Sequence, residues 1–206
     1  MSKKEAPLNT LQSFLPAGSY DLVMEYLHQY KVHLTITRER KSILGDYRHA
    51  IPGKNHRITV NGNLNPYAFL ITLLHELAHL VAFMQFGNRI PSHGKEWKMV
   101  YGKVLEQFVK LNILPQDISK EILKTIHSPA ATSCAEDGLI RILRRYDQVE
   151  EGVKLVEEIA PGKLFSIGEG RIFKRGEKVR KRFKCIEVDT GRIYLFSPVY
   201  EVRELA

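Results

Sequence analysis

A long apolar stretch with helical periodicity constrains the fold of this chain more than any other feature of its sequence. Its apolar residues recur three or four positions apart, which predicts a mostly buried helix. Asn65 favours a helix start because its side chain can cap the first turn, and Pro66 suits the first helical position. Gly87 favours a helix end. The sequence therefore predicts a rigid helix of about six turns between these residues.

Two histidines and a glutamate lie near the middle of this predicted helix. His75 and His79 are four residues apart, so both side chains project from one face and can bind a single metal ion. Glu76 follows the first histidine, where a carboxylate can act as a general base. The pattern His-Glu-x-x-His on a helix is typical of zinc metallopeptidases.

A catalytic zinc site usually has three protein ligands, so another residue must complete this one. His93 is the next histidine, and apolar residues at helical spacing follow it. A turn after Gly87 would pack this second helix antiparallel to the first and bring His93 back toward the first two ligands. Glu96 is the alternative third ligand.

The segments His75–Leu80 and Pro91–Trp97 together resemble the SprT family of zinc metalloproteases, whose eukaryotic relatives are the Spartan proteases. The resemblance extends from about Tyr20 to Lys110 and includes the gap between the two segments. It implies an α+β fold with a zincin-like metalloprotease core, in which helices pack on a small antiparallel sheet. It also implies one catalytic zinc ion bound by His75, His79 and His93, with Glu76 as the catalytic acid and base.

A basic segment near the C-terminus carries most of the excess positive charge. Lys and Arg outnumber Asp and Glu by 31 to 23 in the 206-residue chain, which gives a formal charge of +8. Such a local excess favours phosphate contact, and the resemblance points to DNA, single-stranded or damaged. Phe173 and Phe183 could stack on bases or face the core. The predicted phosphate contacts are Arg171, Lys174, Arg175, Lys178, Arg180, Lys181, Arg182 and Lys184.

Short strand-like runs replace helical periodicity in the last third of the chain. We predict a lead-in at residues 1–16, the metalloprotease domain at 17–129 and a small basic β-rich domain at 130–206. In the first domain, strands are predicted at 32–37, 42–49 and 57–60. In the second, Leu139–Tyr146 could be a strand or a helix, and strand is favoured, while Asp189–Gly191 is predicted to be a hairpin turn.

The two cysteines, Cys134 and Cys185, argue against a disulfide framework. Bacterial SprT proteins often end in a zinc ribbon with four cysteines, and this chain departs from that pattern because two cysteines cannot supply four thiolates. We therefore predict a ribbon-like β domain without zinc. The N-terminus has no apolar core of signal-peptide length, and no run is expected to reach a transmembrane span. These features predict a cytoplasmic protein without a membrane partner.

The resulting hypothesis is a zinc-dependent endopeptidase that acts on proteins associated with or crosslinked to DNA. One alternative is a nucleic-acid-binding regulator whose zinc site is structural or idle. Another is a peptidase that is indifferent to DNA, which would leave the basic segment unexplained. The sequence predicts a protein substrate but no oligomeric state.

Overall fold

The computed structural model describes residues 8–40, 42–130, 136–168 and 170–205. The chain divides into two compact units, one ending at Asp147 and the other beginning at Gln148. The sequence places this boundary after residue 129. The difference arises because Leu139 and Leu143 are buried in the core of the first unit, which therefore continues beyond the predicted boundary.

The described part of the first unit is an α+β structure. Its α-helices are α1 (Tyr20–Gln29), α2 (Pro66–Phe86), α3 (Lys95–Lys110), α4 (Gln116–Thr125) and α5 (Asp137–Leu143). Its strands are β1 (His33–Thr37), β2 (Gly45–Arg48) and β3 (Arg57–Asn61). Short 3₁₀ helices cover Leu8–Phe14, Gly87–Arg89 and Arg144–Tyr146.

Helix α2 forms the centre of the first unit, as its apolar periodicity predicts. The Asn65 side chain accepts hydrogen bonds from the backbone N–H groups of Tyr67 at 3.1 Å and Ala68 at 2.9 Å, which caps the first turn. Gly87 ends the helix with a positive φ of 72°. Apolar side chains along α2 are fully buried, including Leu70, Leu73, Leu74, Leu77 and Leu80.

Among the described residues, one helical segment has the length and composition of a membrane span. This segment is Pro66–Arg89, and 78% of its most apolar window is buried inside the protein. The expectation that no run would reach this length and composition is therefore wrong. Burial of this extent is what the core helix of a folded unit shows.

The sheet of the first unit is mixed, which corrects the antiparallel sheet implied by the resemblance. The strand order is β1-β3-β2, with β2 antiparallel and β1 parallel to β3. The chain direction alternates from strand to strand, and β3 lies between the other two, so its pairing with β1 must be parallel. Periodicity within one strand does not specify its neighbours. Strand β2 consequently lies at an edge of this sheet.

Two further expectations for the first unit need correction. Leu139–Tyr146 is not a strand but forms α5 and a 3₁₀ turn, because Leu139 and Leu143 are both buried at helical spacing. The lead-in contains a 3₁₀ helix at Leu8–Phe14, and Leu11 and Leu15 are buried in the core. Residues 1–7 lie outside the described residues.

The described part of the second unit is a six-stranded antiparallel sheet with strand order β4-β9-β5-β6-β7-β8. The turn predicted at Asp189–Gly191 connects β7 and β8 and is confirmed. One face of the sheet carries the core, which includes Phe165, Phe173 and the free Cys185. Cys134 lies outside the described residues. The strands are β4 (Val153–Leu155), β5 (Leu164–Ile167), β6 (Arg171–Val179), β7 (Arg182–Glu187), β8 (Ile193–Phe196) and β9 (Glu201–Glu204).

Candidate metal centre

Three histidine side chains converge in the first unit. His75 and His79 lie one turn apart on α2, and His93 lies just before α3. The Nε2 atom of His79 is 3.3 Å from that of His75 and 3.0 Å from that of His93. The Nε2 atoms of His93 and His75 are 3.3 Å apart. The same ring nitrogen of each residue therefore points to one common position.

This arrangement fits a tetrahedral metal ion. Bonds of 2.0–2.1 Å, the range of zinc–histidine bonds, place tetrahedral ligand atoms about 3.3 Å apart. Burial lowers the pKa of His75 to about 3 and that of His79 to about 4, and it also lowers the pKa of His93. All three rings are therefore neutral near pH 7, and the neutral imidazole is the form that binds a metal. The three histidines can hold a metal ion.

Trp97 supports the three rings from α3. Its side chain is fully buried, and its ring centroid lies 4.7 Å from that of His75, 5.1 Å from that of His79 and 4.6 Å from that of His93. The ring of Tyr47, on β2, is parallel to that of His79 at 6.4 Å. Packing of this kind restricts ring rotation and keeps the nitrogens aligned.

Glu76 lies beside this group with only 5% of its surface exposed. Burial and the negative charge of Asp46 together raise the pKa of its carboxyl group to about 8, against the opposing charge of Arg40. A proton affinity near neutrality suits a group that must accept a proton and then release it.

Glu96, the alternative third ligand, is not a member of this group. It lies in the first turn of α3, and the metal-binding group in the described part of the chain consists of His75, His79 and His93. The structure thus brings together the three histidines that the resemblance implies.

Cross-strand pairing divides the predicted phosphate contacts into separate sets. Opposed residues on neighbouring strands project from the same face. Arg175 pairs with buried Cys185 and Lys178 with buried Phe183, so both basic residues belong to the core face. The Arg175 guanidinium lies 4.1 Å from the centre of the Phe183 ring. On the same face, the Arg171 Nε donates to Glu187 at 2.6 Å.

The opposite, outer face of this sheet and the β6–β7 turn carry the other five cations. Lys174 pairs with Ile186 and Lys184 with Leu195, and these two apolar partners are 42% and 54% exposed. Arg182 shares this outer face, while Arg180 and Lys181 form the β6–β7 turn. These five cations therefore lie away from the core face of the sheet.

Phe173 and Phe183 face the core and are 0% and 4% exposed. They are therefore not available to stack on bases. The sequence left open whether these two rings stack on bases or face the core, and the structure shows that they face the core.

Sequence reasoning missed the residues that surround Glu76. Gly45 lies against its side chain, and Arg40 and Asp46 act on it electrostatically. Gly45 offered one signal, since glycine inside a predicted strand often marks close approach of another group. Arg40 offered none, because its position depends on contacts distant in sequence.

Comparisons with known proteins match the segment that carries this site. The SprT-like family matches residues 20–117. Protein SprT of Pseudomonas putida is 51% identical over 35 residues, which cover 17% of this chain and 21% of that protein. Protein SprT of Yersinia enterocolitica is 56% identical over 32 residues, which cover 16% of this chain and 18% of that protein.

The matched segments span about a fifth of the length of these curated relatives. No solved structure gives a significant match. Since the family match covers α1 to the start of α4, it includes the three converging histidines and Glu76. Residues 20–117 of this chain are thus similar to the SprT-like family.

Proposed function

We propose that this protein is a zinc-dependent endopeptidase of SprT type with one catalytic zinc ion, bound by His75, His79 and His93. The observation that carries the proposal is the convergence of three neutral Nε2 atoms beside the buried carboxyl group of Glu76. A long helix with two of the ligands, packed beside a small sheet, agrees with a zincin-like core.

Zinc at this position would act as a Lewis acid that polarises a peptide carbonyl and acidifies a water molecule. Glu76 takes a proton from the attacking water and delivers it to the leaving amine nitrogen. Its metal-free pKa of about 8 falls when a cation is nearby, so the carboxylate form is available near neutral pH. Trp97 and Tyr47 keep the histidine rings in place during these steps.

Strand β2 is the proposed binding edge for the substrate backbone. It lies at one edge of the three-stranded sheet, and its first residue, Gly45, lies against Glu76. An extended peptide that added to this edge would run past the catalytic carboxyl group. Strand addition recognises backbone N–H and C=O groups, so it accepts many sequences.

Proteins associated with or crosslinked to DNA are the proposed substrates. The support is the set of cations on the outer face and the β6–β7 turn of the second unit, together with the similarity to the SprT-like family. Because Phe173 and Phe183 are buried, we propose contact with phosphates rather than stacking on bases. A cytoplasmic location stays a prediction.

The test is cleavage of a DNA-binding protein by the zinc-loaded chain, with and without single-stranded DNA, alongside Glu76→Gln. Cleavage that requires both Glu76 and DNA supports the whole proposal. Cleavage that is indifferent to DNA supports the peptidase and removes the role of the basic residues. Binding of zinc and DNA without cleavage would favour a regulator with an idle metal site.

A further inference from the structure

The backbone of Gly45 lies directly against the side chain of Glu76. A Cβ atom at this position would be 2.6 Å from the Glu76 Oε1 atom, 2.8 Å from its Cγ atom and 2.9 Å from the Thr72 Cγ2 atom. Real Cβ contacts are longer than this, so any side chain would have to move the carboxyl group or the strand. The position of the β2 start therefore limits where the Glu76 carboxyl group can lie.

The segment that leads into β2 is held by Asn61, whose residue surface is only 1% exposed. The Asn61 Nδ2 donates to the backbone carbonyls of Arg40 at 3.1 Å and Ile43 at 3.0 Å. The backbone N–H of Asn61 donates to the carbonyl of Leu44 at 2.9 Å. Asn61 thus fixes the backbone immediately before Gly45.

Arg40 begins the same segment, and its side chain joins the segment to β3. Its Nε donates to the Asn61 Oδ1 at 2.8 Å, and its Nη1 donates to the Thr59 Oγ1 at 3.0 Å. The Thr37 hydroxyl also contacts the Asn61 Oδ1, at 3.1 Å. The guanidinium therefore joins the segment to β3 through two directed bonds, which a lysine ammonium cannot reproduce with the same geometry.

We infer that Asn61 and Arg40 are positioning residues for catalysis. They hold the backbone at Ile43 and Leu44 so that Gly45 stays packed against Glu76 and the carboxyl group keeps one orientation. They act on the reaction only through Gly45 and Glu76. This inference rests on the proposed peptidase function. Displacement of a catalytic group by about 1 Å can lower the rate about 100-fold, so loosening this contact should lower kcat.

Two conservative substitutions test the inference. Asn61→Asp keeps the shape of the side chain but loses the donor to two carbonyls. Arg40→Lys keeps the positive charge near Glu76 but loses the paired donors, and it disturbs the buried interior less if Asn61→Asp fails to fold. Arg57→Lys is the matched control, because Arg57 is an exposed residue on the same strand β3.

For each zinc-loaded variant, kcat, KM, zinc content and backbone amide exchange of residues 42–48 are measured. We expect kcat to fall about 10-fold or more in Asn61→Asp and Arg40→Lys, with faster exchange and with KM and zinc content unchanged. Arg57→Lys should match the wild type. Unchanged kcat despite faster exchange, unchanged exchange, or a rate loss that follows zinc loss would overturn the inference.

The outcome also separates this inference from the proposed function. If the wild-type protein binds zinc but cleaves nothing, the peptidase proposal fails. The exchange measurement then still decides whether Asn61 and Arg40 hold the segment before Gly45. If the wild type is active, Gly45→Ala tests whether the contact between Gly45 and Glu76 matters for kcat. The Asn61→Asp and Arg40→Lys variants then decide whether these two residues maintain that contact.

Discussion

In the described part of each unit one glutamate is nearly buried, and the two differ in their surroundings. Glu76 in the first unit is 5% exposed and Glu187 in the second is 6% exposed. Burial, together with the negative charge of Asp46, raises the pKa of Glu76 to about 8 against the opposing charge of Arg40. Hydrogen bonds from Arg171 and Thr190 instead lower the pKa of Glu187.

Two carboxyl groups with similarly low solvent exposure therefore have opposite pKa shifts. Glu187 remains ionised and joins β7 to β6 and to the β7–β8 turn, which is a structural role. Glu76 can gain or lose a proton near neutral pH and lies beside the three convergent histidines. Desolvation dominates at Glu76, whereas hydrogen bonds dominate at Glu187, and this difference separates the group that can exchange a proton from the structural one.

The largest expected effect concerns the metal ligands that distinguish the first unit. His93→Ala removes one of three converging nitrogens, so we expect zinc affinity to fall by at least about 100-fold. Glu96→Ala should leave zinc affinity unchanged, because Glu96 lies outside the histidine group. Zinc titration against a competing chelator measures both. Strong zinc loss in Glu96→Ala would contradict the assignment of the third ligand.

The second prediction concerns the cations of the second unit. Lys174→Glu combined with Lys184→Glu should weaken binding of a single-stranded oligonucleotide about 10-fold and flatten its salt dependence by about 1.4 in log–log slope. The double change Lys110→Glu and Lys120→Glu alters net charge equally on exposed helix positions of the first unit. Equal weakening by both pairs would show a general charge effect and contradict phosphate contact at the outer face.

The third prediction uses pH to sharpen the contrast between the two carboxyl groups. In the metal-free protein, the raised pKa of Glu76 means that its contribution to stability is lost as pH rises from about 4.5 toward 8. This contribution can reach a few kcal/mol. Glu76→Gln should therefore remove a fall in stability between about pH 5 and pH 8.

Glu187 should give the opposite dependence. Its pKa is lowered, so its contribution is present above about pH 4.5 and is lost as pH falls through the lowered value. Thermal unfolding across pH, with Glu187→Gln beside Glu76→Gln, tests both signs. If both substitutions change stability over the same pH range, the predicted difference between the two carboxyl groups is wrong.

The smallest expected effect is the loss of the cation that stabilises Glu187. Arg171→Met removes the donor at 2.6 Å and the guanidinium that lies 4.9 Å from the Tyr194 ring centre. We expect the unfolding temperature of the second unit to fall by a few degrees. Lys181→Met, at an exposed turn, should leave the unfolding temperature unchanged. If both substitutions lower the unfolding temperature equally, Arg171 has no specific structural role.

Local sequence patterns were sufficient for the parts of the molecule that depend on neighbouring residues. The cap at Asn65, the apolar spacing along α2 and the stop at Gly87 are all local, and they correctly predicted the helix. The four-residue spacing of His75 and His79 placed them on one face for the same reason. His93 could be related to them only through the packing of α3 on α2 or through family resemblance.

The remaining errors involve contacts between distant residues. The apolar run Leu139–Tyr146 was ambiguous, since short runs fit either a strand or a buried helix. Parallel pairing of β1 with β3 depends on which strand lies between the others, and alternation does not encode this. The segment held by Asn61 and Arg40 reaches Glu76 only through folding, so no spacing rule could have predicted it.

The central claim is that Glu76 performs the chemistry of a metal site formed by His75, His79 and His93. Its most direct test is to measure zinc content and peptide-bond hydrolysis in the same samples of wild type, Glu76→Gln and the control Glu187→Gln, whose glutamate has a similarly low solvent exposure. The account predicts about one zinc per chain in all three, with hydrolysis reduced about 100-fold or more only in Glu76→Gln. Full hydrolysis by zinc-loaded Glu76→Gln would contradict it.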